Sequence, residues 1–357
     1  MAEMKLMKGN EAIAEAAVQA GCRHYFGYPI TPQNEVIEYM AERMPQVNGV
    51  CLQAESEIAA INMVFGAAAT GLRAMTSSSS PGISLKQEGI SYIAAAEIPC
   101  VIVNIMRAGP GLGGITPGQA DYFQATKGGG HGDYHCIVLA PVSAQEAYEM
   151  TALAFDLADK YRTPVMLLGD GALGQMMEKV ELKPIKPLEI PKPWAVTGRH
   201  GRADGNTITS LILKPEELEV HNIHLQKKYR EISANEPLWE EQNTADADLV
   251  LVAYGIMARI AQSAMDAARE SGLKVGMLRP KTLWPFPSQA FMKVAKQAKA
   301  FLVLELSAGQ MIEDVRLAIE HKKPVLFYGR TGGMIPKSKE VLDEILSITG
   351  LKGERLK

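Results

Sequence analysis

Short apolar runs alternate with helix-forming segments along this whole chain, and few folds accommodate that alternation. His24–Tyr28, Gly49–Gln53, Leu72–Ser77, Cys100–Met106, Cys136–Ala140 and Thr163–Leu168 read as strands. Between them, Asn10–Ala20, Glu35–Met44, Glu55–Ala69, Pro81–Ala96 and a helix from Ser143 to Tyr161 read as helices. Ser80 reads as an N-cap with Pro81 as first helical residue, and Ser143 with Glu146 as a capping box. The β-branched run Cys100–Met106 lacks polar alternation, as expected of a parallel strand covered on both faces. The expected fold is a doubly wound α/β domain.

Lys183–Trp194 carries four prolines, Pro184, Pro187, Pro191 and Pro193, and reads as a semi-rigid spacer. A charged helix near Glu216–Ile232 follows and is expected to bridge two domains. A second alternation then begins, with strands Leu249–Tyr254, Lys274–Leu278, Ala300–Leu306 and Pro324–Tyr328 and helices Ala258–Ser271, Ser288–Lys296 and Gln310–Glu320. A Pro-broken loop lies after Leu278. The expected division is 1–182, a linker and bridging helix over 183–245, and a smaller α/β domain over 246–357.

At 357 residues, 47% hydrophobic, 22% charged and a formal charge of −3, the chain offers two full cores and no concentrated positive field. Nucleic acid and membranes are therefore not expected partners. No apolar run has transmembrane length and Met1–Lys8 lacks the apolar stretch of a signal peptide, so a cytoplasmic protein is expected. Cys22, Cys51, Cys100 and Cys136 are scattered singly, and His131, His135, His221 and His224 find no third ligand at supportive spacing. No metal site is expected in this chain.

In an open α/β sheet, ligands sit beyond the carboxyl ends of strands. Thr31 follows the first strand, stiffened between Pro29 and Pro32; Glu57 follows the second, Ser77–Ser80 the third and Arg107 the fourth. A hydroxyl, an acid, a hydroxyl cluster and a cation thus converge on one rim. Glu55 and Glu57, two apart on the expected helix, point roughly opposite ways. Glu57 shares its face with Ile61, Val64 and Ala68, where an acid can share a proton with a bound base. Glu55 needs no more than the helix dipole to account for it; for Glu57 the pattern leaves dipole and proton-sharing readings equally open.

Gly109-Pro110-Gly111-Leu112-Gly113-Gly114 matches G-x-G-x-x-G, but Thr116-Pro117-Gly118 interrupts the helix that a dinucleotide site requires. A mobile loop beside Arg107 is expected instead. Gly169-Asp170-Gly171 resembles the start of the thiamine diphosphate pyrophosphate motif, yet no Asn-Asn follows and Asn206 is isolated, so it reads as a strand-ending turn.

Tyr28-Pro29-Ile30-Thr31-Pro32, Gln53-Ala54-Glu55-Ser56-Glu57, the run Thr76 to Gly82, Arg107-Ala108-Gly109-Pro110 and Pro285-Phe286-Pro287 together resemble the alpha subunit of 2-oxoacid:ferredoxin oxidoreductases. Lys8-Gly9-Asn10-Glu11-Ala12-Ile13 and the run Asp121 to Asp133 are most similar to the branched-chain, 3-methyl-2-oxobutanoate type. The resemblance implies a pyrimidine-binding domain of a thiamine diphosphate enzyme, followed by a smaller domain like the transketolase C-terminal domain. It places Glu57 against a ring nitrogen of the cofactor's aminopyrimidine, with Pro29, Ser79 and Ser80 also at the cofactor, and Thr31 and Arg107 at the substrate. It puts the pyrophosphate and Mg2+ on a separate beta subunit and the iron–sulfur clusters on partner subunits, with gamma and ferredoxin-like delta subunits, ferredoxin, a 2-oxoacid and coenzyme A as partners. A 2-oxoglutarate enzyme is the alternative within the family, and a nucleotide-binding or scaffold subunit without chemistry the alternative outside it.

Overall fold

A computed structural model describes residues 3–201 and 204–350. In chain order its first elements are β1 (Glu3–Lys8), α1 (Gly9–Gln19), β2 (His24–Gly27), α2 (Asn34–Gln46), β3 (Val50–Gln53), α3 (Glu57–Ala69), β4 (Ala74–Ser78), α4 (Ser80–Ala95) and β5 (Cys100–Met106). Next come α5 (Tyr122–Thr126), β6 (Ile137–Leu139), α6 (Ala144–Tyr161), β7 (Pro164–Asp170), α7 (Gly171–Gln175), β8 (Met177–Leu182) and α8 (Pro215–Asn235). The remainder comprises β9 (Trp239–Gln242), β10 (Leu249–Val252), α9 (Gly255–Glu270), β11 (Val275–Pro280), β12 (Thr282–Trp284), α10 (Ser288–Val294), β13 (Ala300–Glu305), α11 (Met311–Ala318), β14 (Val325–Gly329) and α12 (Ser338–Ile348).

The first sheet runs β12-β6-β7-β5-β4-β2-β3, parallel except for β12. β5 and β7 are buried along their whole lengths, which is why their sequences show no alternation. From β2 the chain steps outward to β3 and then crosses back to β4 on the other side. The reversal opens a crevice at the carboxyl ends of β2 and β4, where such sheets bind ligands. The second sheet, β14-β13-β10-β11-β9, is parallel except for its edge strand β9; α9 and α11 pack on it and α12 packs against α9.

Several expectations shift. β1, β8, β9, α5, α7 and α12 have no counterpart in the sequence reading, and β1 pairs with β8 as a two-stranded ribbon. The Pro-broken loop contains β12, which leaves the second domain to close the first sheet antiparallel to β6. The N-cap of α4 is Ser79, and Ser80 is already helical at φ +20°. Ser143 caps α6 as expected, but the Glu146 carboxylate takes the amide of Val142 instead of closing a box on Ser143.

The proline-rich segment is tied to the first domain. Lys192 Nζ donates to the Gly71 carbonyl and pairs with Asp159, and the Val196 amide donates to Ala69. α8 docks on the same domain through His221 to the Ala95 carbonyl, and through Lys228 to Glu97 at 2.9 Å. The two sheets are locked by Arg279 on β11, which forks onto Glu146 of α6 at 2.8 and 2.9 Å.

Candidate active-site rim

The crevice is built by four strand ends. After β2, the chain turns through Pro29 and Thr31; Pro29 is exposed and Thr31 half-buried. Thr31 Oγ1 accepts from Asn34 Nδ2 at 3.4 Å, and its carbonyl accepts from Arg107 Nη1 at 3.0 Å. After β3, Ser56 caps α3 by accepting the Ala59 amide, and Glu57 is its first residue. Glu55 therefore lies outside the helix and is exposed, whereas Glu57 is 6% exposed. Ile61, Val64 and Ala68 are buried on the face that Glu57 shares.

The Glu57 carboxyl makes no hydrogen bond among the described residues. A Cβ on Gly82 of α4 would lie 2.6 Å from Glu57 Oε1 and 2.1 Å from Ser78 Oγ, so only glycine leaves room for both. Ser78 Oγ and Ser79 Oγ are buried and unpartnered, as is Arg107 Nε. Unpaired buried polar atoms are rare in folded chains, and several at one strand-end crevice mark a place for a ligand. The unpartnered acid and hydroxyls suit a polar heterocycle, which fits an aminopyrimidine.

Arg107 is 9% exposed; Nη2 donates to the Leu112 carbonyl, so the guanidinium ties the rim to the glycine-rich loop. That loop starts no helix. It folds on itself through Ala108 N to Thr116 O and Gly114 N to Ala108 O, which pins the loop at its base. Ser80 Oγ accepts the Arg107 amide and donates to Asp121 at 2.6 Å, and Asn104 Nδ2 donates to the same carboxylate oxygen at 2.9 Å. Burial pushes the Asp121 carboxyl above its ordinary range, against these two bonds. Sequence reasoning assigned no role to Asp121 or Asn104; the signal was a lone amide within the apolar run Cys100–Met106.

Beside Arg107 lies a cavity of about 940 Å³ between the domains, walled by Ser80, Arg107, Asp121 and, from the second domain, Ser307, Gln310 and Thr331. Arg107 is the single cationic side chain on its wall among the described residues. Thr31 and Glu57 do not line it; they occupy the rim on the β2 and β3 side. Asp170 ends β7 as expected, but its buried carboxylate also accepts the Ile256 amide of the second domain at 2.7 Å. It is thus an interdomain tie.

The doubly wound parallel sheet, with its crevice at the carboxyl ends of β2 and β4, is the fold of a thiamine diphosphate-binding domain. The family model "Pyruvate flavodoxin/ferredoxin oxidoreductase, thiamine diP-bdg" matches residues 15–244, and "Pyruvate:ferredoxin oxidoreductase core domain II" matches residues 247–341. The chain belongs to the 2-oxoacid:ferredoxin oxidoreductase family, as an alpha-type subunit. It is 50% identical to the ketoisovalerate oxidoreductase subunit VorB of Methanothermobacter marburgensis, over 97% of this chain and 98% of that one. It is 39% identical to the 2-oxoglutarate synthase subunit KorA of Archaeoglobus fulgidus, over 92% and 95%.

The solved 2-oxoglutarate:ferredoxin oxidoreductase from Magnetococcus marinus, with 2-oxoglutarate, coenzyme A and succinyl-CoA bound, superposes with a TM-score of 0.87 at 26% identity. The match covers 97% of this chain and 65% of that one, so this chain spans about two-thirds of its length. A split-gene transketolase, with a TM-score of 0.58 at 11% identity over 95% of each chain, shares the fold alone. Among the described residues, no helix is long and apolar enough to cross a membrane.

Proposed function

We propose that this chain supplies the pyrimidine half of a thiamine diphosphate site in a cytoplasmic, ferredoxin-reducing enzyme that oxidatively decarboxylates a branched-chain 2-oxoacid, 3-methyl-2-oxobutanoate, to its coenzyme A thioester. The observation that carries the reading is the unpartnered Glu57 carboxyl, seated against Gly82 on the same rim as Arg107. Bound here, thiamine diphosphate supplies the carbon nucleophile and holds the electron pair left when carbon dioxide departs.

Glu57 shares a proton with the pyrimidine ring, and Pro29, Ser79 and Ser80 shape the pocket around it. Arg107, whose Nε makes no hydrogen bond, orients the substrate carboxylate, and Thr31, held through its carbonyl by Arg107, contacts the substrate beside it. Pyrophosphate and Mg2+ belong to a beta subunit, and iron–sulfur clusters to partner subunits, with gamma and ferredoxin-like delta subunits in the complex. Exposed apolar residues beside the crevice, Ile58 at 50% and Leu112 at 84%, suit a covered interface. The domain division 1–182, 183–245 and 246–357 serves this reading, with β12 crossing back to the first sheet.

The branched-chain assignment rests on charge. A 2-oxoglutarate site must pair a second carboxylate, whereas the cavity wall carries one cation and one acid, Arg107 and Asp121. Lys127 and Arg330, which lie outside that wall, are paired with Asp314 and Glu340. The 50% identical ketoisovalerate relative supports the same choice. With the reconstituted complex, kcat/KM is expected to favour 3-methyl-2-oxobutanoate over 2-oxoglutarate; the reverse order overturns the substrate and leaves the family standing.

A further inference from the structure

Lys86 sits in the middle of α4 with no exposed surface, and no carboxylate lies within ion-pair distance of it among the described residues. A buried ammonium persists only where hydrogen bonds or other charge compensate it. Its Nζ donates to Thr76 Oγ1 at 3.1 Å and to the main-chain carbonyl of Glu57 at 3.4 Å. Among the described residues, the charged side chain that favours its ammonium form is that of Glu57.

Gly82 and Lys86 are four residues apart on α4 and so stack on one face. A Cβ on Gly82 would strike Glu57 Oε1, and one on Gly89 would lie 2.5 Å from Ile61 Cγ2. One face of α4 therefore reads Gly82, Lys86, Gly89 against Glu57 and Ile61 of α3: two glycines permit close approach and a cation lies between them. The other groups facing the pair are weak or spent. β4 offers the hydroxyls of Thr76 and Ser78, β2 offers Tyr25, whose hydroxyl bonds Ser77 at 2.6 Å, and at the start of α4 Asp121 is bound by Ser80 and Asn104.

We propose that Lys86 is a positioning residue, whose buried ammonium anchors the first turn of α3 and supplies the charge that balances Glu57. Its consequence for catalysis rests on the proton-sharing role given to Glu57 above; the pairing itself does not.

The test is the pH dependence of thermal stability of the full chain. Burial lowers the Lys86 ammonium from 10.5 to about 8, against the pull of Glu57. Between those values the unfolded chain binds more protons than the folded one, so this group makes stability rise with pH. Lys86→Met is expected to abolish that rise, with Lys86→Gln in its place if the methionine variant does not fold. Glu57→Gln removes the balancing charge and is expected to move the onset about one pH unit lower. The double variant shows no rise.

An onset unmoved by Glu57→Gln, or a Lys86→Met profile parallel to wild type, overturns the proposal. In the assembled complex, Lys86→Met is further expected to lower kcat with KM unchanged, because the proton-sharing acid loses its positioning. An unchanged kcat overturns the catalytic consequence. If the wild-type complex turns over no 2-oxoacid, the functional reading fails while the stability titration still decides the pair.

Discussion

Glu57 owes its place to neighbours that take no part in the reaction themselves. Ser56 starts the helix, Gly82 leaves room for the carboxyl, and the apolar face through Ile61 and Val64 keeps water away. Glu57→Gln preserves shape but not proton exchange, so the assembled complex is expected to lose about 10²-fold or more in kcat/KM. Glu55→Gln, altered at an exposed position before the helix, should change it by less than about twofold, since surface substitutions have small effects. Equal losses would refute the separation of the two acids. Gly82→Ala places a methyl inside Ser78 Oγ and Glu57 Oε1, and chemical denaturation should show a loss of about 1–3 kcal/mol together with lost turnover.

Among the elements, the tie between α6 and β11 matters most to the whole. Glu146 is bound by Arg279 and Lys281; burial pushes its carboxyl up, but these cations outweigh it and hold it below the ordinary 4.5. A depressed carboxylate contributes stability that is complete above its unfolded value and lost as pH falls through the lower folded one. Denaturant midpoints of wild type should therefore fall below about pH 4.5, and Glu146→Gln, which leaves the buried Arg279 with Glu240 as its remaining carboxylate, should cost about 1.5–3 kcal/mol at neutral pH. A neutral-pH loss below about 1 kcal/mol would show that the interdomain lock lies elsewhere.

The strands that were legible in the sequence are those buried on both faces, such as β5 and β7, because apolar run length alone signals them. β12 was not legible: three residues between Pro280 and Pro285 look like a broken loop, and only a distant partner, β6, makes them a strand. The rim residues were legible because strand ends collect them. Asp121, Asn104 and Lys86 were not, because their meaning lies in contacts across 41, 17 and 29 positions of chain.

Taken whole, the molecule presents two sheets locked by Arg279, Asp170 and the Gln119 side chain, which bonds the Tyr254 carbonyl and the Leu306 amide. The acid of the rim and its cation stand ready, while the Asp-and-Asn-Asn set for a magnesium pyrophosphate is missing from the sequence. On the proposed function, this chain is half of a cofactor site. Calorimetric titration of thiamine diphosphate with Mg2+, into the chain alone and into the chain with its beta subunit, tests it most directly. Saturable binding is expected only when both subunits are present; tight, magnesium-dependent binding to this chain alone would contradict the half-site.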